Sequence, residues 1–541
     1  MTESLHILMI ASENDALPEC KVGGIGDFIR DVPKALAALK APKCTVTVLV
    51  PSYGYMHKIT QASYLTKVCY YFAGNREEAD LYDIHVKQPV PGVRYLVCDH
   101  PTFKQIDINT QKPLIYYNDP PENPFATDAT KFARFCAAVA EGLIREIFGP
   151  INRIHLHDWH MTFLLILRQF DTAYKKLQQI SSIFTIHNLS LQGIRPFRNE
   201  SSSLEAWYPH IVYSEEVLAD PEYRDCINPM AVGIRLADII HTVSPGYAEE
   251  IIKPSSPSLN EPHYEYNGGG NLGKDLGNAH TQKRLFGILN GCTYEPNHTM
   301  PSRGRDEYLA MLYLLHNEVH QWERKKVAPV HTLALQRVEQ LITSAAHRPT
   351  VLLTSCTRIV DQKVKLMVHP KSTDKKKSAL EQILHNLPQE AFCILLGTGI
   401  PQYEAFFLQL SYQYNNFLFL NGFSTSCANA LYANGDIFLM PSSFEPCGIT
   451  QMLSMREGQP CVVHAVGGLK DTVKDNINGF SFSGSNLDEQ AEAFVNTVSQ
   501  AINCKILSPN RYQAIAEAAF KERFFWKDSV QKYVTQLYKA I

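Results

Sequence analysis

The chain has 541 residues, enough for a large core and for two or more domains, with 45% apolar and 19% charged residues, an ordinary globular balance. A formal net charge of −3 supplies no field that would draw nucleic acid or a membrane surface, and neither is expected as a partner. The amino-terminal run is too short and lacks the basic residues of a signal peptide, no window reaches the roughly 18 apolar residues of a membrane span, and scattered cysteines without a Cys-x-x-Cys read as reduced thiols, so the expected location is cytoplasmic.

In chain order, His6–Ala11 reads as a buried first strand. The glycine-rich loop Glu19–Asp27 follows, then a helix through Phe28, Val32, Leu36 and Leu39. Thr45–Val50 is a second buried strand, closed by Pro51, and residues 63–99 look β-rich. Residues 131–148 carry helical spacing, and Ile154–Leu156, Ile183–Ile186 and Ile239–Val243 are further strands, each ending in a polar cluster. The pattern breaks down over 255–280, where Tyr266–Gly273 predicts a mobile loop, and Phe286–Gly291 ends the first half. Residues 305–345 predict a helical connection. A second alternating series then begins at Thr350–Ser355 and continues through Phe392–Leu396, Phe417–Leu420, Ile437–Met440 and Cys461–Val463. Lys371–Lys377 reads as a solvated charged loop, and Ser529–Tyr538 as the last helix.

This alternation predicts an α/β protein of two doubly wound parallel sheets facing each other across a deep cleft. The expected division is an N-terminal domain over 1–300, a helical connection over 301–345, a C-terminal domain over 346–525, and a final helix, 526–541, crossing back to the first domain.

Several strand ends carry groups suited to a phosphate or a sugar. Pro441–Gln451 lies between a buried strand and a helix, so Glu445 to Gly448 should sit in a turn at the carboxyl edge of a sheet, where such folds bind ligands. Gly448 lets backbone amides approach a ligand, although a lone Glu-Pro-x-Gly is more often a turn that merely connects strand to helix. Lys21-Val-Gly23-Gly24-Ile-Gly26-Asp27 places glycines and a cation where a strand turns into a helix, a geometry that can cradle a phosphate. Its spacing matches neither a dinucleotide fingerprint nor a P-loop, and alone it could be an ordinary tight turn. Arg358 and Lys363, beyond the end of a strand, suit a diphosphate, the first as a fork and the second as a point charge; in isolation they are two surface cations. His155, His157 and His160 do not make a metal site, because His160 should begin a helix and no Cys or Glu completes the set. A polar turn with Trp159 stacking on a sugar ring fits better.

Taken together, these segments resemble the bacterial glycogen synthases and plant starch synthases of glycosyltransferase family 5, of GT-B fold, and occur in that family's order. The segments are Lys21–Asp27, His157–His160, His187–Gly193, Ala237–Ala248, Gly287–Gly291, Arg358 with Lys363, Leu396–Gly399, Phe444–Gln451 and Gly467–Val473. The resemblance implies retaining transfer of glucose from ADP-glucose, or alternatively UDP-glucose, to the non-reducing end of an α-1,4-glucan, without metal or other cofactor. A catalytically silent, glucan-binding paralogue is the reading from another class. By the same resemblance Lys21, His187, Arg358, Lys363 and Glu445 are the catalytic set. Gly23, Gly24, Asp27, Gly397, Phe423, Cys447, Gly448 and Thr450 bind the donor, with Phe423 stacking on the base; Asp158, Trp159 and Asn188 lie on the acceptor side. The sequence departs from the family at Cys292-Thr293, at Val364, at Asp128, and in the absence of a lysine-rich helix over 305–345.

Overall fold

A computed structural model describes residues 4–107, 113–117, 128–253, 268–344, 347–371 and 374–539. The chain forms two compact units, Met1–Gly291 with Trp526–Ile541, and Cys292–Phe525.

The first unit contains β1 (Leu5–Ile10), β2 (Cys44–Pro51), β3 (Gln61–Phe72), β4 (Asn75–His85), β5 (Val93–Asp99), β6 (Arg153–His157), β7 (Ser181–Ile186), β8 (Arg195–Pro196), β9 (Cys226–Ile227), β10 (Ile239–Thr242) and β11 (Leu285–Gly287). Nine of these strands form one sheet in the order β11-β10-β7-β6-β1-β2-β5-β4-β3. From β11 to β5 it is parallel. Beyond β5 the β-rich segment adds an antiparallel edge: β4 runs antiparallel to both β5 and β3. The cause is local, because β3 and β4 are joined by Ala73-Gly74, both at positive φ (51° and 75°), the two-residue turn whose twist suits a hairpin.

Burial follows the strand period. Along β1, Leu5, Ile7 and Met9 enter one core cluster with Phe28, Ile29 and Val32 of the helix Gly24–Ala37, whereas Leu8 and Ile10 enter the cluster on the other face. The returning C-terminal segment belongs to the first of these clusters: Trp526, Val530, Tyr533, Val534, Leu537 and Tyr538 are buried in it. The chain moves from β1 outward through β2 to β5 and later resumes at β6 on β1's other side, so a topological switch point lies between β1 and β6. Open α/β sheets bind ligands beyond the carboxyl ends of such strands.

In the second unit, β12 (Val351–Cys356), β15 (Ala391–Gly397), β16 (Phe417–Asn421), β17 (Ile437–Met440), β18 (Cys461–His464) and β19 (Phe480–Phe482) form a parallel sheet in the order β16-β15-β12-β17-β18-β19. Its switch point lies between β12 and β17. The helices Arg305–Lys325 and Pro329–Ser344 belong to this unit. The segment expected as a charged loop is in part a short hairpin of β13 (Pro370–Lys371) and β14 (Asp374–Ser378), ended by Ser378, which caps the helix Ala379–Asn386 in a capping box with Glu381. The mobile-loop expectation lies outside the described residues over 254–267. Beyond it, Gly270–Leu272 and the helix Gly273–Thr281 replace the expected loop, because Leu272, Leu276 and Ala279 recur at helical spacing and are buried.

Candidate active site

In the first unit the chain leaving β1 carries Glu13 and Asp15 towards the glycine loop. Glu13 is buried, and its Oε2 accepts the N–H groups of Val22 and Gly23, both at 2.6 Å, while its Oε1 accepts the Tyr116 hydroxyl at 2.7 Å. This corrects the phosphate-cradle expectation at those amides: a carboxylate of the chain itself holds them and shapes the loop. Lys21 Nζ lies 2.6 Å from Asp27 and 3.3 Å from Asp15, and Arg30 pairs with Asp15, Asp27 and Asp31. Asp27, expected to touch the donor, is thus an ion-pair partner of Lys21. Lys21 keeps about a third of its side-chain exposure, so the cation remains accessible to an anion that competes with these carboxylates.

At the ends of β6 and β7, Asp158 sits at φ 54° and ψ 178°, a backbone region that side chains avoid. The strain turns its buried carboxyl onto the end of β7, where Oδ1 accepts the His187 N–H at 2.6 Å. Burial raises the pKa of Asp158 to about 7, opposed by the amides of His187 and Asn188. Asn188 in turn accepts from Ser190 N (3.0 Å) and Oγ (2.8 Å), closing an Asx turn. Asp158 therefore holds the His187 backbone in place, and Asn188 shapes the turn that follows it. The His187 imidazole is pushed down to about 3 by burial, with His241 adding to the effect, so the ring is neutral at physiological pH.

Trp159 does not offer a stacking face, and that expectation is corrected. The ring is 6% exposed, stacks on His160 at 4.0 Å between centroids, meets Phe132 edge-on, and lies under Gly193, where an added Cβ would come within 2.1 Å of it. The short 3-10 turn Trp159–Met161 runs inward, beneath the helix Ala129–Ile144, and carries the indole into the core.

In the second unit, Arg358 follows β12 and is exposed, with no ion-pair partner among the described residues. Its loop is seated against the end of β15: Ile359 N donates to Thr398 O (2.9 Å) and Ile400 N to Ile359 O (2.7 Å). Gly397 permits this approach, because a Cβ there would lie 2.0 Å from Thr357 O. Its part is to position the Arg358 loop. Lys363, in the first turn of the helix Asp361–Val368, is ion-paired with Glu445 Oε2, and both side chains are largely buried. Ser442 Oγ also donates to Glu445 Oε2, at 3.0 Å.

The loop after β17 is fixed by its backbone. Gly468 N donates to Glu445 O (3.0 Å), Gln362 Nε2 to Phe444 O (3.0 Å), and Gln451 Nε2 to Cys447 O and Gly448 O (3.1 and 2.9 Å). Gly448 has φ 75°, the left-handed conformation glycine tolerates. Cys447 is buried, and Thr450 Oγ1 donates to Met440 Sδ at 3.2 Å, so neither side chain is turned outward to a ligand. Phe423 is 77% exposed on a loop where Gly422 lies against Trp322 and His331 Nε2 is 3.0 Å from Asn421 O.

The structure thus joins Lys363 to Glu445, and Asp158 to His187, while turning Trp159 away and closing Asn188 onto Ser190. Sequence reasoning missed Glu13 and Ser442. Glu13 carries a legible signal, a carboxylate directly after the carboxyl end of a buried strand and just before the glycine loop; Ser442 carries none beyond its place three residues before Glu445. Among the described residues no three His, Cys, Asp or Glu side chains gather to hold a metal ion.

The family model described as starch synthase catalytic domain matches residues 6–274, and that described as glycosyl transferases group 1 matches residues 362–522. The chain is 30% identical to a glycogen synthase of Exiguobacterium sibiricum over 97% of each chain. It is 29% identical to one of Moorella thermoacetica over 100% of this chain and 98% of that one. Among solved structures it resembles the catalytic domain of starch synthase IV from Arabidopsis thaliana, bound to ADP and acarbose, with a TM-score of 0.71 at 24% identity over 99% of both chains. It also resembles a sucrose-phosphate synthase from Thermosynechococcus elongatus, with a TM-score of 0.51 at 13% identity over 99% of this chain and 100% of that one; these likenesses speak to the fold. A two-unit GT-B architecture and matches along nearly the whole chain lead to one conclusion: the protein belongs to the family of glycogen and starch synthases, hexosyl-transferring enzymes of GT-B fold.

Proposed function

We propose that the protein transfers glucose from ADP-glucose to the non-reducing end of an α-1,4-glucan with retention of configuration. The observation that carries this reading is the arrangement around Glu445. Its Oε2 is taken by Lys363 and Ser442, and its Oε1 has no partner among the described residues. One carboxylate oxygen is thus left for a sugar hydroxyl, beside a lysine suited to the diphosphate that leaves; Arg358, exposed after β12 and without an ion-pair partner among the described residues, supplies a second cation of the same unit.

As the glycosidic bond to phosphate breaks, negative charge grows on the leaving oxygen and the sugar becomes oxocarbenium-like. Arg358 and Lys363 stabilise that charge as it develops, the electrostatic contribution that typically dominates such reactions. Among the described residues the Glu445 carboxylate bonds to Lys363 and Ser442 and to no second carboxylate that would serve a double displacement, so the acceptor hydroxyl attacks from the face the diphosphate leaves, and the diphosphate takes its proton. His187 meets the donor glucose, and exposed Phe423 stacks on the base.

The test is transfer of labelled glucose to a glycogen primer from ADP-glucose and, in parallel, from UDP-glucose. Faster transfer from ADP-glucose is expected. A loss of about 100- to 1000-fold in kcat is expected for Lys363→Ala, the scale of a lost oxyanion-stabilising donor. No transfer from either donor refutes the reading, and preference for UDP-glucose refutes its choice of base.

A further inference from the structure

His187 has two ring nitrogens, and a neutral imidazole carries a proton on only one of them. Which one decides whether the ring donates or accepts at the substrate. We propose that His157 is a positioning residue that locks His187 in the tautomer protonated at Nδ1, so that His187 offers an N–H donor to a substrate oxygen. This rests on the reading that His187 meets the donor glucose.

The geometry is a cluster of four histidines: His155 and His157 on β6 and His241 on β10 are buried, and His187, just after β7, is half-buried. His157 Nδ1 lies 3.0 Å from His187 Nε2, and both rings flank Phe28 at centroid distances of 5.1 and 5.0 Å. The bond between the nitrogens can be made with either ring as donor. The two arrangements differ at His157 Nε2, which is fully buried and has no hydrogen-bond partner among the described residues. If His187 donates, the proton of His157 must sit on Nε2, and an N–H is stranded in an apolar site. If His157 donates, only a lone pair is stranded. Orphaned buried N–H groups are the rarer and costlier case, so His157 donates and His187 Nε2 accepts. The proton of His187 is then on Nδ1.

The two other rings are joined through Thr185 Oγ1, which lies 2.6 Å from His155 Nε2 and 2.9 Å from His241 Nδ1, and His155 Nδ1 lies 2.9 Å from the Tyr538 hydroxyl. These bonds can all be made with every ring neutral. Burial lowers the basicity of all four, in keeping with that assignment. Held this way, His187 cannot take a proton through Nδ1; it polarises or orients an oxygen.

The test is the 15N spectrum of the full chain labelled at histidine, with the His187 signals identified by their loss in His187→Asn. A protonated, pyrrole-type Nδ1 and an unprotonated, pyridine-type Nε2 are expected. The reverse pattern, or a doubly protonated ring, overturns the proposal. In parallel, His157→Phe keeps an aromatic ring but no N–H, and is expected to lower kcat about 10- to 100-fold, the usual scale for a partner that orients a functional histidine. Its donor KM should stay within about twofold. His157→Asn, which retains an N–H donor, should recover part of the loss. A folded His157→Phe with unchanged kcat overturns the proposal. If His157→Phe does not fold, the wild-type spectrum decides. Because that spectrum needs no turnover, an enzyme that transfers nothing would sink the proposed function and leave the tautomer to be judged separately.

Discussion

Asp158 illustrates how a residue can be placed correctly by a motif and still act differently from the expectation. The motif puts a carboxylate beside the sugar; the fold turns it onto two amides in a site dry enough to raise its pKa from 3.8 to about 7. The folded state therefore holds the proton more tightly than the unfolded chain. Below about pH 4 both states are protonated and the group contributes nothing. As pH rises towards 7 the unfolded chain loses its proton first, and stability falls across that window. Asp158→Asn keeps an acceptor oxygen and removes the titration, so its Tm should gain on the wild type as pH rises from 4 to 7. Parallel Tm curves would show that the carboxyl is not perturbed. Trp159, one residue on, was equally legible as an aromatic and equally misleading, because burial is decided by which way a 3-10 turn runs.

At the scale of elements, the loops that hold the charged residues depend on backbones coming closer than any side chain allows. Gly397 and Gly468 would bring a Cβ to 2.0 Å from Thr357 O and 2.3 Å from Cys447 O. Gly397→Ala must push the Thr357–Ile359 loop off β15 and Arg358 with it. A loss of about 1–3 kcal/mol, the range for overpacking, is expected in denaturant unfolding, together with a raised KM for the nucleotide sugar. An unchanged KM would show that Arg358 is held by something other than this contact. The strands themselves were legible because buried parallel strands are nearly continuous apolar runs. The antiparallel β3–β4 hairpin was legible only as β-rich sequence, since alternation gives no strand direction.

For the whole molecule, the discontinuous first unit has a direct consequence. Trp526, Tyr533, Val534, Leu537 and Tyr538 fill a core shared with Phe28 and Val32, and Trp526 Nε1 donates to Asp31 at 3.2 Å. A chain ending at Phe525 would expose that apolar face. Truncation is expected to make residues 1–291 susceptible to limited proteolysis while 292–525 stays resistant; equal resistance of both segments would contradict the division. Such a loss is costly because each large core side chain is worth roughly 1.5–3 kcal/mol of burial.

The sequence by itself determined the two α/β units, the positions of their strand ends and the residue types gathered there, because apolar period and glycine placement are local properties of the chain. It also carried the family, through motifs in order. Only the tertiary structure decided that Glu13 holds the glycine loop, that Lys363 pairs with Glu445, and that Trp159 is interior while Phe423 is not. Those are matters of which groups meet and which way they turn once the chain has folded, and a one-dimensional pattern contains the groups but neither of these.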